Sequence, residues 1–91
     1  MANVSVGLAT INAAFVSVME AVQDLNSCAE KLKVRYQVAG NGWNDNKYRE
    51  LGGIINECVG AMRKPCDELL QCASSLNELE SALAEYERQN L

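Results

Sequence analysis

The chain is expected to be all-α: a two-helix antiparallel hairpin that dimerises into a four-helix bundle. Three observations point there. From Val4 to Tyr36 apolar residues recur in alternating steps of four and three, and from Tyr48 to Tyr86 they do so again. Between the two runs lies the one strong breaker, Val38-Ala-Gly-Asn-Gly-Trp-Asn-Asp45, which holds the only Trp.

The first run is Val4, Leu8, Ile11, Phe15, Val18, Val22, Leu25, Ala29, Leu32 and Tyr36. Such spacing places every member on one helical face, the a/d stripe of a heptad repeat. It predicts a helix over 4–38. The second run is Tyr48, Leu51, Ile55, Cys58, Met62, Pro65, Leu69, Cys72, Leu76, Leu79, Leu83 and Tyr86, and it predicts a helix over 46–89. A bend over 39–45 joins them in a single domain. Strands alternate with period two, and neither run does so for long.

The bend chemistry agrees. Lys31, Lys33 and Arg35 sit toward the end of helix one, where cations suit the dipole. Gly40 and Gly42 can adopt the positive φ angles that end helices. Asn44, Asp45 or Asn46 can cap helix two through a side-chain oxygen. Pro65 removes one backbone bond and crowds the carbonyl of Ala61, so helix two is expected either to kink there as one continuous helix, the favoured reading, or to break.

Composition bounds the function. The chain has 91 residues, enough for one small domain, with 48% apolar and 22% charged residues, so it can fold. His is absent, which removes the usual general base and the commonest metal ligand. No nucleophile–base pair, phosphate loop or ligand cluster is present, so neither an enzyme nor a cofactor-binding protein is expected. A net charge of −4 argues against nucleic acid as partner. The first cation is Lys31, so the start lacks the charged region of a secretory leader. The stretch from Val4 to Val22 is apolar but carries Ser, Thr, Asn and Glu20, and it reads as a buried helix face, with no membrane span expected. Membrane-surface helices carry Lys and Arg on the polar face, whereas helix two is mostly acidic there.

One hairpin cannot cover its own apolar surface. Beside the a/d stripe, helix one carries Ala14, Ala21 and Cys28. Helix two carries Ile54, Ala61 and Ala82 on one flank and Val59, Cys66 and Ala73 on the other. Stripes this wide call for a second hairpin. Charge points to its direction. The bend end holds Lys31, Lys33, Arg35, Lys47 and Arg49, and the far end holds Glu78, Glu80, Glu85 and Glu87. An antiparallel homodimer sets basic end against acidic end; a related helical hairpin or a larger partner could fill the same role.

The four cysteines are Cys28, Cys58, Cys66 and Cys72. Pairs within helix two are out of reach, since disulfides need Cα atoms within roughly 7 Å. Cys28 and Cys58 fall at one height on opposite helices and are the only intrachain disulfide to consider. Otherwise Cys58 and Cys72 are expected in the core as small hydrophobes. Metal binding needs C-x-x-C or His, and neither exists.

Chain length, two amphipathic helices and Trp43 at the bend resemble the WXG superfamily, the small early-secreted-antigen-like proteins of bacterial type VII secretion. The bend motif Trp43-Asn44-Asp45 stands where that family has W-x-G, with Asp replacing Gly. Family members carry Y-x-x-x-D/E after helix two as a secretion signal; here Tyr86 is followed four residues later by Asn90. The alternative role for Tyr86 is the last residue of the seam. The resemblance implies an antiparallel four-helix dimer, homo- or heteromeric. It also implies export without a cleaved leader through a membrane-bound ATPase, or escort of a larger toxin to it. It places Trp43 in the cleft between the helices. The other reading is a cytosolic chaperone or adaptor binding the helical N-terminal region of a partner.

Overall fold

The computed structural model describes residues 2–89, with side chains over 5–89; Val4 and Asn90 side chains lie outside them. Two α-helices make up the described chain, α1 over Ala2–Ala39 and α2 over Asn46–Gln89, with no strand among those residues. α1 is thus slightly longer at both ends than its stripe predicts. Lys31, Lys33 and Arg35 consequently sit short of its final turn, which holds no basic residue. α2 runs without interruption through Pro65. The proline leaves the carbonyl of Ala61 without its helical partner, and Ala61 is exposed, so water can take that place.

Packing divides the chain into two units: a bend unit, Gln23–Asp67, and a terminal unit, residues up to Val22 with those from Glu68 onward. In the bend unit Ala29 of α1 is fully buried against Ile55 and Val59 of α2. Leu32, Tyr36, Leu51 and Met62 pack around them, half-buried. In the terminal unit Val22 and Ala73 are the buried hydrophobics. Leu8, Ile11, Phe15, Val18, Leu69, Leu76 and Leu83 are half-buried there. A Cβ on Gly7 would stand 3.3 Å from Leu83, so the two chain ends of this unit approach closely.

The α1 stripe faces inward as its spacing predicts, Leu25 included. The α2 stripe does so only in part. Leu51, Ile55, Met62, Leu69, Leu76 and Leu83 face the seam, but Cys58, Cys72, Leu79 and Tyr86 are exposed. The seam is completed by the neighbouring row, Gly52, Val59, Cys66 and Ala73, which repeats every seven residues and is buried throughout. The inward face of α2 is therefore rotated by one row from the one read off its largest side chains. The cause lies in the fit. Gly52 belongs to the small row, and a Cβ there would overlap the Tyr36 hydroxyl and come within 2.8 Å of its Cζ. The phenol ring of α1 needs the one position in this row that has no side chain.

Candidate functional site: the bend and the uncovered helix rows

Two tyrosines clasp the bend. The Tyr36 and Tyr48 rings stack with centroids 4.2 Å apart and planes 8° from parallel. Each hydroxyl donates to the other residue's backbone carbonyl: Tyr36 Oη to Tyr48 O at 3.0 Å, and Tyr48 Oη to Tyr36 O at 2.8 Å. Each also lies over a glycine of the opposite helix end. Tyr36 covers Gly52, and Tyr48 covers Gly40, where a Cβ would meet the Tyr48 ring. The local signal is the repeat Tyr36-Gln-Val-Ala-Gly40 and Tyr48-Arg-Glu-Leu-Gly52. Stripe reading alone misses it, because it counts the tyrosines as seam residues and the glycines as breakers. Burial, then the hydrogen bond and charge interaction with Tyr36, push the Tyr48 hydroxyl above its ordinary pKa.

The glycines do not work as positive-φ helix stops. No residue among those described, glycine or otherwise, has positive φ. α1 ends by tightening: Asn41 N bonds Val38 O at 3.1 Å and Gly42 N bonds Ala39 O at 3.2 Å, each spanning three residues. Gly40 is needed for space beneath Tyr48 rather than for backbone freedom.

Asp45 is the cap among the three candidates. Its Oδ1 accepts the backbone N–H of Tyr48 at 3.0 Å, satisfying one of the free donors of the first turn of α2. The same oxygen accepts the Trp43 indole N–H at 2.8 Å. The indole edge meets the Tyr48 ring at 5.6 Å and 60°. Trp43 is 40% exposed, outside the core cluster, with its polar edge held by the cap. Asp at the third motif position thus caps α2 and orients the Trp, which Gly could not do. Asn44 is exposed, with no role in these contacts. The neighbouring cations are paired on the surface, Lys47 to Glu50 at 3.3 Å and Arg49 to Asn46 at 2.5 Å. Such exposed pairs contribute about 0–1 kcal/mol.

The helix rows beyond the seam differ on its two sides. On one side of the bend unit Arg63 pairs with Glu30 at 3.3 Å, and Cys66 Sγ lies 3.8 Å from Asn26 Oδ1. At 100° per residue, Cys28 and Cys58 project from the other side, and both are exposed. Ile54, 58% exposed, adjoins them. In the terminal unit the matching α2 row carries Cys72, Leu79 and Tyr86, with Leu79 53% and Tyr86 55% exposed. The expectation of Cys58 and Cys72 in the core is overturned; Cys66 takes that place because the seam lies one row over. All four cysteines are free thiols, and Cys28 and Cys58 carry no bridge.

Tyr86 lies inside α2, which continues to Gln89, rather than after it. The shallow depressions along α1 are lined by residues of that helix alone, Ser27, Glu30, Lys31, Val34 and Arg35 in one and Cys28, Lys31, Leu32 and Arg35 in the other. No group of three or more His, Cys, Asp or Glu converges among the described residues. The expectation that no segment reaches the length and apolarity of a membrane span does not hold. Ser5–Ala39 is long and apolar enough to cross a membrane by length and composition, and little of it is buried. Comparison with protein-family models, curated proteins and solved structures finds no match to this chain.

Proposed function

We propose that this chain works by helix–helix association, as an export substrate of the WXG type or as the targeting partner of a larger exported protein. One observation carries the reading: large apolar side chains of α2 stand exposed, while its buried residues are mostly small or β-branched. Ile54, Leu70, Leu79 and Tyr86 are each more than 40% exposed, whereas the buried α2 residues are Gly52, Ile55, Val59, Cys66 and Ala73. Leu79 and Tyr86 lie seven residues apart on one side of α2, and exposed apolar groupings of this kind mark interaction surfaces. The bend supports the resemblance locally, since Trp43 is fixed by the third residue of its own motif.

The occupant favoured is a second copy in antiparallel orientation. The bend unit holds seven Lys or Arg (Lys31, Lys33, Arg35, Lys47, Arg49, Arg63, Lys64) against six Asp or Glu (Asp24, Glu30, Asp45, Glu50, Glu57, Asp67), a net of +1. The terminal unit holds Arg88 alone against Glu20, Glu68, Glu78, Glu80, Glu85 and Glu87, a net of −5. Bend unit against terminal unit is the attractive pairing. The test is solution mass across a salt series, followed by secretion with and without the export ATPase. A dimer that loosens with salt, and a protein trapped in the cell without the ATPase, support the reading. Export that is indifferent to the ATPase removes its secretory half. The position of Tyr86 within α2 favours, as second reading, an adaptor that stays inside the cell. Stoichiometric recovery of one larger helical partner, with no homodimer, would select it.

A further inference from the structure

We propose that two copies of this chain become joined by a disulfide between Cys58 of one copy and Cys72 of the other. The inference rests on the antiparallel self-association above and adds to it a covalent bond and a register.

Three of the four thiols are exposed, Cys28, Cys58 and Cys72, while Cys66 is buried with its Sγ 3.5 Å from Met62 O. Cys58 and Cys72 belong to the outer row of α2 that the hairpin leaves uncovered. In the bend unit this row reads Leu51, which is half-buried against the core and only partly uncovered, then the exposed Cys58, seven residues on; in the terminal unit it reads Cys72 then Leu79, both exposed and again seven apart. If a bend unit packs antiparallel on another copy's terminal unit with Cys58 opposite Cys72, Leu51 falls opposite Leu79. The same register brings Lys47 and Arg49 within a turn of the other copy's Glu80 and Glu85. Apolar residue then meets apolar residue, thiol meets thiol, and cations meet carboxylates. A two-fold axis makes the contact twice.

Reach permits the bond. Packed helices stand about 8–10 Å apart with Cα atoms about 2.3 Å off each axis, so directly opposed Cα atoms lie about 3.4–5.4 Å apart, the wider spacings being the ones that suit a disulfide. Those fall at the near end of the usual range for a disulfide, about 4.4–6.8 Å. Cys is also small enough for helices to close at that point.

The oxidant is a small-molecule disulfide such as oxidised glutathione. The Cys58 thiolate attacks one of its sulfurs and expels one thiol, leaving a mixed disulfide on Cys58. The Cys72 thiolate of the other copy attacks the Cys58 sulfur and expels the second thiol. The two cysteines lose two electrons and two protons, and the oxidant is reduced to two thiols. Such a bond persists in an oxidising compartment and opens in a reducing one.

The experiment begins with the solution mass of the full chain under reductant, which tests association alone. The chain is then oxidised with glutathione disulfide and run on a non-reducing gel, and the crosslinked peptides are identified by mass spectrometry. The expected result is a covalent dimer containing the Cys58–Cys72 peptide pair. Its yield should fall roughly tenfold or more in Cys58→Ser and in Cys72→Ser, and be unchanged in Cys28→Ser and Cys66→Ser. A dimer under reductant that gives no crosslink, or one that runs through Cys28, overturns this inference and leaves self-association standing. An internal Cys28–Cys58 bridge overturns it as well. A monomer under reductant that forms no crosslink overturns both.

Discussion

The bend unit and the terminal unit are built from the same two helices, yet they are held by different means. In the bend unit Ala29 is fully buried against Ile55 and Val59, and the two tyrosines lock the chain reversal with stacked rings and two hydrogen bonds. In the terminal unit the same α2 row continues through Ala73 into Glu80 and Glu87, both only half-buried. Carboxylates in a seam cannot pack as aliphatic groups do, and a charged group resists leaving water. Among the described residues only Val22 and Ala73 are buried hydrophobics there, and the charge is −5 rather than +1. A repeating heptad thus does not imply uniform cohesion along a hairpin. The small row decides where helices seal, and the terminal unit has the most to gain from a second chain.

The sharpest way to break this contrast is to hollow out the bend unit. Ile55→Ala removes a side chain that is 8% exposed within the core cluster, and should cost about 2–4 kcal/mol in urea unfolding of the reduced monomer. Leu79→Ala, in a terminal-unit side chain 53% exposed, should cost less than about 0.5 kcal/mol under the same conditions. Equal effects would erase the distinction between the units.

Two adjacent glycines sharpen it next. Gly52→Ala must displace the Tyr36 ring and should destabilise by about 1–3 kcal/mol. Gly53→Ala meets nothing within 4 Å and should stabilise by about 0.5–1 kcal/mol through helix propensity. Opposite signs at neighbouring positions in thermal melts would establish the clasp; the same sign at both would refute it.

Asp45→Ala removes the cap of α2 and the acceptor of the Trp43 indole together. It should cost about 1 kcal/mol and change the emission of the only Trp in the chain. An unchanged Trp spectrum would mean that the indole is not held by this carboxylate.

The smallest effect is alkaline. The Tyr48 hydroxyl keeps its proton in the folded chain above its ordinary value of 10.0, so the unfolded chain deprotonates first as pH rises. Its contribution is complete below that value and is lost as pH climbs through the folded value. Tyr48→Phe should flatten that alkaline loss in a series of unfolding curves, and an unaltered profile would assign the loss to other groups.

The all-helical class, the two long helices and the breaker between them were legible in the chain, whereas at Pro65 residue type alone left a kinked helix and a break both open. The seven-residue spacing and a single Gly-rich breaker leave few other ways to bury the apolar residues. Asp45 stood among three cap candidates by residue type alone. The inward face of α2 was not legible, because two adjacent rows both fit a heptad and side-chain size favoured the wrong one. Only the pairing of α1 with α2 chose between them, since Tyr36 needs the space above Gly52 and no count of hydrophobic residues contains that requirement. The tertiary structure thereby also decided which thiol is sealed, Cys66, and which, Cys58 and Cys72, face outward. Spacing along a sequence places residues on a face of a helix; which face turns inward depends on what the other helix brings against it.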